Sequence, residues 1–355
     1  MAEDKIVKAS CLCGGAAHEI RLSSADLPLK VFICHCDSCR HSTGTLCFTV
    51  AAGPAHYKPD LGLLSLLQPF EISKKIIYYH CPRCGSQMLA TMMVGEIKCW
   101  GFASGTLEQV DGVIQVMAHE HIADTLDGGF SDFLQSIDGS RIPRKLHGLG
   151  GEADVDAQLW WKSSNAASPS ASSQRLRCYC KCGGVNFWIA KPSERSVKLQ
   201  RPPKDQPWWL RHDGTRFLGG ICACDSCRLG SGMEWQEWAF VPIVDISLDA
   251  EGKVPFSRSF GTLKQYRSTT KPCMRYFCEI CGATVFWDGD DRPELIDVAV
   301  GLLDAKAGAR AEAWLHWWTN RLSYQEDAMS RAASLTLAVE AGLKEYGERR
   351  YKYRK

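Results

Sequence analysis

Nowhere in this 355-residue sequence is there an apolar run long enough to cross a bilayer. The stretch Met1 to Ser10 lacks the basic-then-apolar pattern of a secretory leader. Net charge is scant as well: 42 basic against 40 acidic side chains leave +2 at pH 7. Domains that hold nucleic acid by bulk electrostatics carry a marked basic excess, so that class of partner is not expected. The one locally basic stretch, Lys344 to Lys355, reads as the solvated end of a helix rather than an anion-binding tail. Together these absences predict a cytoplasmic protein in a reducing compartment, with neither membrane nor nucleic acid as partner.

Cysteine, in contrast, is plentiful, at 18 residues. In a reducing compartment such a number reads as metal ligands more economically than as disulfides. The distribution supports this, because the same three clusters occur twice in the same order. The first copy has Cys11-Leu12-Cys13-Gly14, then Cys34-His35-Cys36-Asp37-Ser38-Cys39-Arg40, then Cys81-Pro82-Arg83-Cys84-Gly85. The second has Cys180-Lys181-Cys182-Gly183, then Cys222-Ala223-Cys224-Asp225-Ser226-Cys227-Arg228, then Cys278-Glu279-Ile280-Cys281-Gly282. The clusters lie farther apart in the second copy, which is the mark of a duplicated domain with loop insertions rather than a short-period solenoid.

Four ligands close a structural zinc site, and two cysteine pairs from distant segments supply them. Cys11, Cys13, Cys81 and Cys84 are therefore assigned to one zinc, and Cys180, Cys182, Cys278 and Cys281 to another. The glycine after each pair lets the backbone turn tightly and aim amides at sulfur. Iron in a four-thiolate cage satisfies the same spacing. The middle clusters differ. Cys34, Cys36 and Cys39, and likewise Cys222, Cys224 and Cys227, offer three thiolates within a few residues and no evident fourth ligand. Zinc held by three protein groups keeps a position open for water or substrate, as catalytic zinc does, so these six are the candidate catalytic residues. The bland alternative is that His35 or a remote histidine closes the site. Arg40 and Arg228 follow each triad, placed either to offset thiolate charge or clasp a substrate carboxylate, or else simply exposed at a helix start. The remaining Cys47, Cys99, Cys178 and Cys273 read as buried apolar thiols.

Short alternating apolar runs such as Val185, Phe187 and Ile189, punctuated by Gly, Pro and Asp, predict a mainly β protein of many short antiparallel strands. The exception is Asp327 to Arg349, where Ala332, Leu335, Val339, Leu343 and Tyr346 recur at helical steps and predict a closing amphipathic helix packed on the second domain. The expected divisions are 1–147 for the first zinc domain, 148–174 for a small, polar linker, 175–326 for the second domain, and 327–355 for helix and basic tail. Eleven of the 12 tryptophans follow residue 155. Most are expected in a core, and their asymmetry suggests that the second site takes a bulkier, flatter substrate than the first, or serves it as a scaffold.

At these motifs, together with Tyr79-His80 before Cys81, Phe277 before Cys278 and Gly301-Leu302-Leu303-Asp304, the chain resembles the glutathione-dependent formaldehyde-activating (GFA) family, also called the centromere protein V/GFA domain. The resemblance covers most of both halves. It implies two tandem β domains of the mammalian-suppressor-of-sec-four type, with structural zinc at the outer pairs and catalytic zinc at the triads, about two zincs per domain. It also implies a carbon-sulfur lyase or synthase that adds a thiol, glutathione as co-substrate, to formaldehyde or a related electrophile. Two departures stand out: Gly105-Thr106-Leu107-Glu108 ends on glutamate where the family usually has aspartate, and Ala223 replaces the histidine inside the second triad. The competing reading is a non-catalytic tandem scaffold in which every zinc is structural and the surface binds a protein. The fourth ligand of each triad separates the two.

Overall fold

The computed structural model describes residues 4–148, 175–199, 208–211, 214–267 and 273–351; most of the expected linker lies outside them. The alternation in the sequence becomes alternation in burial. Along Leu29–Cys34 the side chains of Leu29, Val31 and Ile33 are buried while their neighbours are not, and Phe187 and Ile189 do the same on Asn186–Ala190. Where a strand is covered on both faces, as at Leu295–Ala299, every residue is buried and the alternation disappears.

The main sheet of the first half has the strand order Gln68–Ser73, Ile76–His80, Gln87–Val94, Ile97–Ala103, Phe48–Ala52, Leu29–Cys34, Ile114–Glu120. The second half repeats it as Leu263–Tyr266, Cys273–Cys278, Thr284–Gly289, Leu295–Ala299, Gln236–Pro242, Arg216–Cys222, with Leu315–Trp317 beside the last. Among the described strands, pairing is antiparallel except in one place per half. Leu29–Cys34 runs parallel to Ile114–Glu120, and Arg216–Cys222 runs parallel to Leu315–Trp317. The parallel pairs depart from the all-antiparallel expectation because a long excursion returns the chain to the far side of the central strand.

The halves meet through a reciprocal contact. The helix Asp37–Thr43 packs on the short turn Val300–Leu302, and the helix Asp225–Ser231 packs on Ser104–Thr106. Gly301 N–H donates to the Gly44 carbonyl at 3.0 Å, and Gly105 N–H to the Gly232 carbonyl at 3.1 Å. This is the isologous arrangement of a two-fold dimer, built within one chain. Gly44 and Gly232 end the two helices with φ of 80° and 79°. A methyl group on either would overlap a backbone carbonyl of the other half, that of Thr284 or of Gln87. Gly232→Ala is therefore expected to cost about 2–4 kcal/mol, from left-handed strain plus overlap that backbone cannot relieve. Gly112, at φ 72°, has open space around it, so Gly112→Ala is the control and should cost only about 1 kcal/mol. Urea denaturation of the two variants measures the difference.

One apolar core runs through both halves. Phe130 stacks on Trp235 with ring centroids 4.4 Å apart. The closing helix spans Gln325–Tyr351 and bends at Ala332. It packs on the second half as expected, Tyr351 stacking on His316 at 4.2 Å and Arg350 pairing with Glu312. It packs on the first half as well, against Ser136–Ile137 and Gly129–Asp132. Tyr346 meets Phe133 edge-on at 4.9 Å, and the backbone of Gly342 lies against that of Phe133 and Leu134. The buried Arg331 pairs with Glu234 of the second half and donates to the Leu107 carbonyl of the first, so the helix clamps the two halves.

Candidate metal centres

Each closed cluster joins two turns. Cys81 and Cys84 sit in the hairpin between Ile76–His80 and Gln87–Val94, where Gly85 at φ 82° makes the turn. That hairpin brings them to Cys11 and Cys13, and in the second half Cys278 and Cys281 meet Cys180 and Cys182 in the same way. Four Zn–S bonds of about 2.3 Å place sulfurs about 3.8 Å apart on a tetrahedron. The Cys11–Cys13 and Cys180–Cys182 sulfurs are 3.4 Å apart, Cys13–Cys81 3.6 Å and Cys182–Cys278 3.4 Å. Backbone amides face these sulfurs in register. Ala16 N–H and Val185 N–H each lie 3.3 Å from the first sulfur of their set, Gly15 N–H and Gly184 N–H 3.4 Å from the second. Donors aimed at sulfur favour thiolate, the form a metal needs. The fit to zinc is close.

Each triad forms where a central strand ends and a helix begins. Cys34 closes the strand Leu29–Cys34, Cys36 caps the helix Asp37–Thr43, and Cys39 lies in its first turn. Cys222, Cys224 and Cys227 take the same places. Cys36 Sγ accepts from the Cys39 amide at 3.4 Å, and Cys224 Sγ from the Cys227 amide at 3.4 Å. Asp124 and Asp327 accept the next amide, that of Asp37 or Asp225, so each helix start carries two acceptors. Hydrogen bonds from Cys34 and Cys39 hold the Cys36 thiol down to about 2, while sulfur neighbours and burial push Cys34 and Cys39 up. Cys224 is likewise held down to about 2 by Cys222 and Cys227. Contact among the three sulfurs disfavours ionising more than one of them. Ionising the rest requires a cation among them.

Among the described residues, no fourth His, Cys, Asp or Glu joins either triad within the 4.8 Å that unites its three sulfurs. His35 does not close the first. Its imidazole is fully buried, with Nε2 2.9 Å from His119 Nδ1, while His119 Nε2 lies 2.7 Å from the Leu134 carbonyl. That chain makes His119 the donor to Leu134 and His35 the donor to His119.

Arg228 is turned to another task than clasping a substrate. It bonds Asp225 at 2.7 Å and donates to the carbonyls of Gly105 and Leu107 across the interface. Arg40 pairs with Asp37 and is as deeply buried. Neither is the exposed helix-start arginine that the sequence also allowed. Cys47, Cys178 and Cys273 are buried, whereas Cys99 is half-buried, since it lies opposite Met92 toward the outer end of its hairpin.

Two residues beside the triads are not evident from the motifs. Tyr78 Oη lies 2.9 Å from Cys39 Sγ, and Arg275 Nη2 lies 3.5 Å from Cys227 Sγ and 2.8 Å from Ser226 Oγ. They are counterparts: Tyr78 pairs with Ala90 across its sheet and Arg275 with Trp287. Both stand three residues before the first cysteine of the hairpin pair, a coincidence legible once the copies are aligned. Burial, with the sulfurs nearby, keeps the Tyr78 hydroxyl protonated well above the ordinary phenol range.

A cavity of about 1040 Å³ opens at the second triad, lined by Cys222, Cys224, Cys227 and a set of aromatic rings. Trp235, Trp314 and Trp317 are in the core as expected, while Trp209 and Trp238, also buried, join Trp208, Trp287 and Trp318 in the cavity wall.

The sequence pattern of the family described as glutathione-dependent formaldehyde-activating enzyme matches residues 6–122 and 210–321. No curated protein matches. Among solved structures, a crystal structure of a Rhodobacter sphaeroides protein is similar at 18% identity, over 40% of this chain and 99% of its own, with a TM-score of 0.25. Among the described residues, no helix is long and apolar enough to cross a membrane.

Proposed function

The chain belongs to the glutathione-dependent formaldehyde-activating family as a tandem duplication, and from that premise we propose that it is a zinc-dependent carbon-sulfur lyase or synthase. Its reaction adds a thiol such as glutathione to formaldehyde or a related electrophile, and runs in reverse. The observation that carries this reading is the three-sulfur cluster at Cys34, Cys36 and Cys39, repeated at Cys222, Cys224 and Cys227, which no fourth His, Cys, Asp or Glu joins among the described residues. A closed set of four suits a structural ion, and a set of three suits an ion that meets substrate. Zinc bound there supplies Lewis acidity, which ionises an incoming thiol at neutral pH.

The polypeptide does the rest. The helix-start amides of Cys39 and Cys227 donate to the Cys36 and Cys224 sulfurs and fix their direction. Asp124 and Asp327 pin the same turn from outside. In the first half the Tyr78 hydroxyl, beside Cys39, stays a proton donor and is placed to hydrogen-bond sulfur or the oxygen of an arriving carbonyl. The balance is simple: sulfur bonds to the carbonyl carbon, the C=O π pair moves to oxygen, and oxygen takes the thiol's proton. The closed four-sulfur sites hold the hairpins on which Tyr78 and Arg275 stand.

Cobalt in place of zinc makes the coordination visible. Adding glutathione is expected to change the thiolate-to-cobalt absorption of the triad sites and leave that of the closed sites alone. A spectrum indifferent to glutathione, with a protein ligand found on both triads, would sink the enzyme reading and leave a tandem zinc scaffold.

A further inference from the structure

We infer that the second half is the site for a planar, hydroxylated aromatic aldehyde, held as a flat ring beside Cys222, Cys224 and Cys227. The inference rests on the proposed thiol chemistry and adds a substrate class.

The argument starts from sheet register. Val50 pairs with Ala103 and Ala52 with Gly101 in the first half; the same positions are Trp238 opposite Ala299 and Phe240 opposite Asp297 in the second. Ala90 opposite Gly101 becomes Trp287 opposite Asp297. Four positions facing one site thus change from Val, Ala, Ala and Gly to Trp, Phe, Trp and Asp. Such a change is not needed for the fold, which both halves share strand by strand. Trp208, Trp209 and Trp318 add three further rings to the cavity wall. About 1040 Å³ is far more than a one-carbon aldehyde fills, and is at the upper end of what small-molecule sites occupy.

Polar groups narrow the chemistry. Among the described residues, Trp209 Nε1 and Trp318 Nε1 are buried donors with no partner, and Asp297 Oδ1 is a buried acceptor with none. Asp297 is only 6% exposed, and its other oxygen is held by Arg292 at 2.9 Å. These atoms belong to side chains of the cavity wall but are shielded from the cavity itself, so an occupant that donates one hydroxyl and accepts through oxygen pairs with them once those side chains turn toward it. Charge argues against an anion, because Asp291, Glu294, Asp297 and Asp327 line the cavity against Arg275, Arg292 and Arg321. The arginines at the mouth lie over rings rather than reaching inward: Arg292 is 4.6 Å from the Trp287 centroid and Arg321 5.3 Å from that of Trp318. Aromatic walls, balanced charge and one buried carboxylate oxygen describe a neutral hydroxyarene.

The probe is 6-hydroxy-2-naphthaldehyde, titrated against the tryptophan fluorescence of the full zinc-loaded chain without thiol. Saturable quenching is expected, weakened about tenfold by Trp287→Ala and by Phe240→Ala, each the residue the first half carries there. Both positions are half-buried, and unchanged circular dichroism and zinc content verify the fold. Plain 2-naphthaldehyde should bind about tenfold more weakly, for want of the hydroxyl. Equal binding by both variants and wild type, or no saturable quenching, overturns the inference; equal binding of both aldehydes removes its hydroxyl. Adding glutathione separates the two readings. Ring binding with no adduct from either aldehyde would defeat the lyase and spare the ring site, whereas formaldehyde adduct without ring binding would do the opposite.

Discussion

Cys281→Ser is expected to strip one zinc from the second half and unfold it. Cys281 is fully buried in the hairpin turn and is one of four sulfurs that tie that turn to Cys180 and Cys182. Structural zinc in small domains contributes roughly 10–16 kcal/mol of apparent binding free energy, comparable to the whole stability of a typical domain, about 5–15 kcal/mol. Serine oxygen does not replace a thiolate, and the three sulfurs left without their ion, those of Cys180 and Cys278 buried and that of Cys182 half-buried, repel one another once ionised. Because one core runs through both halves, and the second hairpin meets the first where His80 Nε2 lies 3.2 Å from the Glu279 carbonyl, the loss should not stay local. A single denaturation transition at much lower urea, with loss of near-ultraviolet circular dichroism, is the expected readout. A variant that keeps about four zincs per chain and loses less than about 1 kcal/mol would show that these sulfurs are not a structural metal site.

The triads should behave in the opposite way. Cys36→Ser with Cys224→Ser is expected to leave a folded chain with about two zincs and to lower adduct formation at least about 100-fold. Each of these cysteines caps a seven-residue helix whose backbone is also held by its C-terminal glycine and by the other half. Serine can still cap a helix through its oxygen, so the local fold survives while the ligand set does not. The single variants then assign the work: Cys224→Ser is expected to remove turnover of the aromatic aldehyde, and comparison with Cys36→Ser shows which triad turns over formaldehyde. Metal content, adduct formation followed by mass, and stability are measured on the same samples. Full activity in the double variant would remove the triads from the chemistry.

The contrast between these two outcomes follows from how differently the clusters are built. Short spacing between cysteines, with glycine next in sequence, is a local matter: the chain between two ligands is too short to place them anywhere but together. The family resemblance was legible for the same reason. The strands too were readable, since alternation marks a face turned to a core. Glycine at 44 and 232 was visible as part of a motif, but its reason was not, because the carbonyls that exclude a side chain there belong to Thr284 and Gln87, remote in the sequence.

From sequence alone, therefore, come the duplication, the grouping of sulfurs into closed fours and separate threes, the β class of the fold and the terminal helix. Tertiary structure alone decides what faces those sulfurs. It puts Tyr78 beside one triad and Arg275 beside the other, commits Arg228 to carbonyls of the opposite half, lays the last helix across both halves, and gathers several scattered tryptophans into a wall. Ligand pairs a few residues apart meet through short-range backbone geometry, whereas these contacts depend on sheet register and on the seam between halves, which only the folded chain establishes.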